Sequence, residues 1–440
     1  MLDRVTRHAQ AYLDSLPERP VGVPVEPDVL RNAVAMPFPE DGVAPEQVIE
    51  DLVAGVEPGL VASPGPRYFG FVTGGALPAA LAADWLAAAW DQNGFTYVAS
   101  PAAAVVEEVA EGWLLDVLGL PSTASVGFVT GCQMANVTCL AAARNTVLER
   151  AGWDVVRDGL IGAPPVTIVA GAEAHATIFS ALRLIGLGME TARLVEVDDQ
   201  GAIDADALDL DGPAIVCAQA GNVNSGAFDP LDRIADACER AGAWLHVDGA
   251  FGLWAAASPS KRHLVRGVER ADSWATDAHK WLNVPYDSGL AIVADRAAHQ
   301  RAMGVSAAYL LDSDHRDNYE YTPEASRRAR GFAIYAALRQ LGRRGLAELI
   351  DRCCKHAALF ARLLRDGGAE ILNDVVLNQV LVACEPDAIA RVQADGTCWA
   401  GGTVWHGRSA MRISVSGWPT TTADVERSAA AILAALSAAS

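Results

Sequence analysis

The sequence predicts an α/β fold built on a mostly parallel sheet, and three observations predict it. Short apolar runs recur between residues 66 and 295: "SVGFVTG", "PVTIVAG", "TARLVEVD", "AIVCAQA", "AWLHVDGA", "DSWATDAH" and "LAIVAD". Runs of this length and composition read as strands buried on both faces. Helical patterns separate them, as in "PLDRIADACERAGA", a crossover helix expected to end at Gly242 before "WLHVD". Of the 440 residues 51% are apolar, with 39 Gly and 22 Pro, which is the balance of a globular chain and not of a disordered one.

The elements divide the chain in order. Residues 1–65 form an N-terminal helical dimerisation segment: two or three short amphipathic patterns surround the extended "PERPVGVPVEPDVL", and no apolar strand gives them a core. Docking on another chain would supply one. Residues 66–303 carry the strand–helix alternation of the large domain. Residues 304–324, "GVSAAYLLDSDHRDNYEYTPE", are polar and irregular, and a loop of that length inside a compact protein tends to be functional. Residues 325–440 form a small α+β domain. Its long helical run is expected to kink or break near Gly342–Gly345, and it ends in the helix "TTADVERSAAAILAALSAA".

Several function classes are disfavoured. A formal charge of −20 gives no cationic surface for nucleic acid. The start, "MLDRVTRHAQAYLDSLPERPV", lacks the basic–apolar–small order of a secretory signal. The most apolar window, "GGALPAALAADWLAAAW", contains Asp84 and is too short to span a bilayer. The 8 cysteines show neither CxxC nor zinc spacing, and adjacent Cys353 and Cys354 on a helix cannot easily bridge each other. The expectation is reduced thiols in a cytoplasmic protein with no metal and no membrane or nucleic-acid partner.

Four stretches put reactive residues at strand C-termini, where open α/β sheets bind ligands. "FVTGCQMANVTCLAAARN" is strand, glycine turn and helix, with a helix N-terminus suited to phosphate. "AHATIFSALRLIGLG" sets His175 just past a strand, as a helix cap or as a site residue. "WLHVDGAFG" ends a strand in Asp248, which needs a cation or several donors there. Gly249 and Ala250 behind it leave room for a flat ligand. "TDAHKWLNVPYDSG" places Lys280 after His279 between two apolar runs, and a buried lysine is costly unless paired or covalently occupied. A structural ion pair is one reading. Pyridoxal 5′-phosphate is the other, since it asks for a helix N-terminus, a carboxylate for its ring nitrogen and a lysine for its aldehyde.

"HVDGAFG" followed by "ADSWATDAHKWLNVPYDSG" resembles the group II pyridoxal-phosphate-dependent amino-acid decarboxylases, the aromatic-L-amino-acid and glutamate decarboxylase family. "PRYFGFVTGGALPAALAADWL", "FTYVASPAAAVVEEVAEGWLLDVLGLP", "GNVNSGAFDP" and "RISVSGWPTT" have counterparts in the same order, so the resemblance covers most of the chain. It implies fold type I, the aspartate-aminotransferase-like architecture, and a homodimer with shared active sites. Lys280 would bond the cofactor aldehyde and His279 would help hold the phosphate, with Gly131, Cys132 and Gln133 as further donors. Asp248 would pair with the pyridine nitrogen. Ala250 would lie against one ring face and His175 on the other. Asn222 would stand near the ring hydroxyl, where relatives usually have threonine. Thr73 matches a residue near the substrate carboxylate. Three departures stand out. The phosphate turn reads Gly-Cys-Gln where relatives carry small hydroxyl residues, and Asp277 stands where many have asparagine. The loop lacks the usual sequence around its tyrosine, leaving Tyr319 and Tyr321 in "DNYEYTP" as candidates.

The implied reaction is α-decarboxylation of an L-amino acid to CO2 and the amine, with the proton returned to Cα by Tyr319, Tyr321 or His175. Tyr309 reads as a packing residue. Tyr68, Phe69, Trp90, Phe95, Tyr97 and Trp405 are either an apolar substrate pocket or core aromatics, and a pocket favours an aromatic or large apolar substrate. Other outcomes on the same cofactor stay open: oxidative decarboxylation to an aldehyde, aldol-type or transamination chemistry, or an inactive pyridoxal-binding protein.

Overall fold

The computed structural model describes residues 1–22, 24–305 and 315–438. The expected strands form one sheet: β1 (Ser125–Val129), β2 (Thr167–Gly171), β3 (Ala192–Val195), β4 (Ala214–Gln219), β5 (Trp244–Asp248), β6 (Ser273–Asp277) and β7 (Gly289–Val293). Their order is β1-β7-β6-β5-β4-β2-β3. From β6 to β3 all neighbours run parallel, and only β7 is reversed, antiparallel to both β1 and β6. The C-terminal ends of β1, β5 and β6 therefore share one edge with the start of β7.

β1, β4, β5, β6 and β7 are buried at every position, which is why these runs show no polar alternation. Successive side chains still go to opposite faces. Ala275, Ala291 and Ile215 pack with the helix Cys132–Arg150 on one side. Trp274, Ile292 and Val216 join the core on the other. The crossover helix Leu231–Ala241 buries the stripe Leu231, Ile234, Ala235 and Cys238 and ends at Gly242.

The N-terminal helices Leu2–Ser15 and Pro27–Val34 bury no residue, and Pro45–Val56 buries only Gly55. Near the other end, the helix Gly331–Asp366 breaks at Gly342 (φ 59°, ψ 178°), within the stretch expected to bend. A small antiparallel sheet follows, β8 (Gln379–Ala383), β9 (Gly401–Trp405) and β10 (Arg408–Ser414), in the order β8-β10-β9. Its buried Met411 and Ile413 belong to the same apolar cluster as Phe360 and Trp281, so the C-terminal part packs against the segment that carries Lys280. Within 304–324, Tyr309 falls outside the described residues, and Asn318–Tyr321 is a single 3-10 turn. Among the described residues no helix is long and apolar enough to cross a membrane.

Candidate active site

Lys280 leaves the end of β6 and turns back toward it. Its Nζ lies 3.1 Å from Asp277 Oδ2. Asp277 Oδ1 accepts the Cys132 backbone N–H at 2.6 Å, at the first turn of the helix Cys132–Arg150. The His279 ring approaches that same oxygen to 3.5 Å, accepts the Ser288 N–H at 3.3 Å, and packs on Tyr286 at 4.3 Å between ring centres. A Cβ at Gly289 would stand 2.4 Å from Gly131 Cα, so only glycine lets β7 start against the helix turn. Burial alone would push the Lys280 pKa down. Asp277, with Cys132 and Asp248 behind it, outweighs this and raises it.

Asp248, at the end of β5, accepts the Cys132 thiol at 3.4 Å, the Ala250 N–H at 3.2 Å and the Asn136 amide at 3.4 Å. These donors satisfy a carboxylate that is only 4% exposed. His175 caps the helix Ala176–Leu184, and burial pushes its pKa down. Its charged surroundings are Asp248, Lys280, Arg412 and Asp277.

A strained loop closes the front. Phe71 (φ 53°) and Val72 (φ 59°) are left-handed, a costly conformation for a β-branched residue. Next to them Gly74 lies so close to Lys280 that a Cβ would stand 1.9 Å from its carbonyl oxygen. Asn283 fastens the arrangement. It accepts the N–H groups of Gly75 (2.7 Å) and Trp418 (2.9 Å) and donates to the carbonyls of Trp281 (2.8 Å) and Ser416 (3.0 Å). Thr73 is thereby set beside the lysine segment.

A lysine and an aspartate at adjacent strand ends, with a helix N-terminus and a histidine between them, form a constellation shared with known enzymes. The profile of the "Pyridoxal-dependent decarboxylase conserved domain" matches residues 27–383. The chain belongs to this family. Tryptophan decarboxylase 1 of Oryza sativa subsp. japonica is 29% identical over 92% of this chain and 87% of that protein. Acidic amino acid decarboxylase GADL1 of Bos taurus is 31% identical over 76% of this chain and 66% of its own. The crystal structure of the Oryza sativa enzyme TDC with PLP and tryptamine superposes with a TM-score of 0.91 at 26% identity, covering 100% of this chain and 97% of that one.

The decarboxylase is thus a fold type I enzyme that uses pyridoxal 5′-phosphate to decarboxylate an amino acid. Its residues fit that cofactor. Lys280 would hold the aldehyde, Asp248 the ring nitrogen, and the start of the helix Cys132–Arg150 with His279 the phosphate. Gly131 and Gly289 leave the cradle that a Cβ would fill.

Other residues singled out in the sequence fall in different places. The Cys132 thiol points to Asp248 and its N–H to Asp277, so neither faces a phosphate in this arrangement. Among the described residues no hydrogen bond of the Gln133 side chain accompanies them. Asn222 divides its amide between its own turn and the loop before His175: Oδ1 accepts the Asn224 and Ser225 N–H groups, and Nδ2 donates to Gln219 Oε1 and to Glu173 O. Phe69 is 1% exposed and set edge-on against Phe360 at 5.0 Å, a core residue and not a pocket wall. Trp405 packs with Leu381 and Ala410. Trp90 lies against Phe332, and Tyr97 stacks on His315.

Phe95 packs on Tyr319 at 5.2 Å, and the Tyr319 N–H donates to its carbonyl. Tyr321 is buried: Arg296 and Gln300 donate to its hydroxyl, and its ring meets His299. Arg296 also donates to Ala124 O, just before β1 begins, so Tyr321 sits toward the opposite end of β1 from Gly131. Its phenol is held in packing, away from Lys280.

Asn136, Asn283 and Arg412 were not apparent from the sequence. Each lies within a stretch quoted above, but nothing there marks it out; only the folded structure gives Asn136 and Asn283 their partners and brings Arg412 near His175.

Proposed function

We propose that this decarboxylase takes an aromatic or large apolar L-amino acid and releases CO2 and the corresponding amine. One observation carries the reading: an aromatic group beside the lysine segment, in which Trp399 stacks on both Tyr68 (5.1 Å) and Phe71 (5.3 Å). Burial, with Tyr286 adding to it, pushes the Tyr68 phenol up to about 12, so it stays neutral and serves as a hydrogen-bonding wall. The names of the plant relatives point the same way.

Lys280 would hold the cofactor by its aldehyde, Asp248 would hold a proton on the ring nitrogen, and His175 would cover a ring face. Bound there, the cofactor supplies an electron-withdrawing ring for the electrons of the breaking Cα–carboxylate bond. Asp248 acts mainly on rate, because its interaction strengthens as that charge develops. Thr73 lies on the substrate side, and Tyr319 or His175 returns the proton to Cα.

The proposed assembly is a homodimer with shared sites. Residues 1–65 clasp the second copy, which would cover Val29, Val34, Met36 and Phe38, all exposed here. Phe95 and Tyr319, paired with each other, would serve the partner's site. Residues 66–303 and 325–440 remain the proposed large and small domains; the catalytic-loop expectation for 304–324 falls in part outside the described residues. All 8 cysteines are unpaired, which supports a reducing, cytoplasmic setting.

A second reading has its own observation. Arg412 is half-buried in β10, close enough for its charge to lower the His175 pKa, and no hydrogen bond or ion pair to its side chain is present among the described residues. A guanidinium so placed suits a second substrate carboxylate, as in an acidic amino acid. Assaying CO2 release from the twenty L-amino acids separates the two. The aromatic reading expects kcat/KM for tryptophan, tyrosine or phenylalanine to exceed that for glutamate and aspartate by about tenfold or more. The reverse order would assign Arg412 to the substrate side chain.

A further inference from the structure

We propose that Thr177 and Asn136 are positioning residues that fix His175 as its Nε2–H tautomer and tie it to the Asp248 carboxylate. The inference rests on His175 and Asp248 both belonging to the reaction site.

The hydrogen bonds in this region have only one consistent set of directions. An ionised carboxylate accepts and cannot donate, so Asn136 must turn its NH2 toward Asp248 Oδ2, 3.4 Å away. Its second amide hydrogen meets Thr177 Oγ1 at 3.3 Å. The Thr177 backbone N–H can only donate and points at His175 Nδ1 from 3.3 Å, so that nitrogen is an acceptor. Thr177 Oγ1, 2.8 Å from it, therefore donates its own hydrogen there. Two donors on Nδ1 leave it no room for a proton, and burial disfavours the imidazolium. The proton of the neutral ring is therefore on Nε2, the nitrogen turned away from Thr177.

The other side of Asn136 is fixed by the same logic. Its Oδ1 faces His246 Nε2 at 2.9 Å and can only accept, so His246 carries its proton there. His246 is fully buried and pushed down to about 4, hence neutral, and its Nδ1 accepts the Ser273 hydroxyl at 2.9 Å. Ser273 accepts the Trp244 indole N–H at 2.8 Å. Trp244 can only donate and Asp248 can only accept, so the chain between them has a single polarity. Asn136 is its branch point, and one branch ends on His175.

The consequence is chemical. His175 offers a bound amino acid a hydrogen-bond donor and not a base. It can orient a carboxylate by donating from Nε2, but it cannot take a proton there.

The test uses histidine-selective 15N labelling of the purified holoenzyme without amino acid, with His175 and His246 assigned from His175→Gln and His246→Gln spectra. Both rings are expected to show a lone-pair Nδ1 and a protonated Nε2 near neutral pH. A protonated Nδ1 or an imidazolium at His175 would overturn the proposal. Because no substrate is present, this result is independent of the proposed activity. Thr177→Val should turn the His175 signals into a tautomer mixture and lower kcat about tenfold, roughly one hydrogen bond, with KM within about twofold. Thr177→Ser should restore both. A valine variant with unchanged signals and rate, or a serine variant no better than valine, would show Thr177 to be packing only. Asn136→Leu should weaken binding of pyridoxal phosphate about tenfold, through Asp248, while Thr177→Val leaves it within about twofold. Equal effects of the two would contradict the branching.

Discussion

The Lys280 amine pairs with Asp277 at 3.1 Å, and not with Asp248, the carboxylate at the neighbouring strand end. Asp277 raises the lysine pKa against the opposing effect of burial. Removing that charge with Asp277→Asn should let burial dominate and leave more neutral amine at a given pH. The rate at which cofactor-stripped protein takes up pyridoxal phosphate should then reach its plateau at lower pH, by roughly one unit or more. An uptake profile unchanged in pH would show that Asp277 does not control the amine.

Asp248→Asn keeps the shape and removes the charge. A charge-assisted hydrogen bond is worth about 1.5–3 kcal/mol and each 1.36 kcal/mol is tenfold in rate, so turnover should fall roughly 10- to 100-fold or more. The assay is kcat at saturating cofactor. Near-normal turnover would remove Asp248 from the chemistry.

The two loop tyrosines should behave differently. Tyr319→Phe is expected to slow amine formation more than CO2 release, with dioxygen then consumed and aldehyde, ammonia and peroxide appearing. Tyr321→Phe loses the hydroxyl contacts to Arg296 and Gln300 (3.2 and 3.1 Å) and should lower stability by about 1 kcal/mol without changing the product. Quantifying CO2, amine and peroxide for both variants checks this. Stoichiometric amine at wild-type rate from Tyr319→Phe would move the proton donor to His175.

Stability should fall as pH drops below 6.5. His246 and His299 are buried, with burial the main cause, and lie at about 4 and about 3 in the fold. Both are depressed below the ordinary 6.5, so the unfolded chain binds protons first; their stability contribution is present above 6.5 and lost as pH falls toward the folded values. Between pH 7.5 and 5 each should account for about 2 kcal/mol at full depression. Denaturant unfolding at the two pH values should show His299→Gln losing about 2 kcal/mol less than wild type. Equal losses would mean that His299 does not titrate on unfolding.

The seven-stranded sheet could be read from the sequence because β1, β4, β5, β6 and β7 are buried on both faces and so appear as unbroken apolar runs. β3, exposed at two of its four positions, is legible by its place in the alternation. Lys280, His175 and Asp248 stood out because charged or titratable residues at the ends of such runs are costly. Asn136 and Asn283 carried no comparable signal: their role lies in partners up to 208 positions away along the chain, as for Asn283 and Gly75. Phe69 and Asn222 show the converse. A residue type suited to a pocket is equally suited to a core or to a turn, and only the three-dimensional neighbours decide.

The central claim is that Lys280 carries the cofactor. The chain has only three lysines, Lys261, Lys280 and Lys355, so borohydride reduction of the holoenzyme followed by peptide mass mapping gives a sharp answer. The account predicts a reduced pyridoxyl group on Lys280, absent from Lys280→Ala. A reduced adduct on Lys261 or Lys355, or one that survives Lys280→Ala, would contradict it.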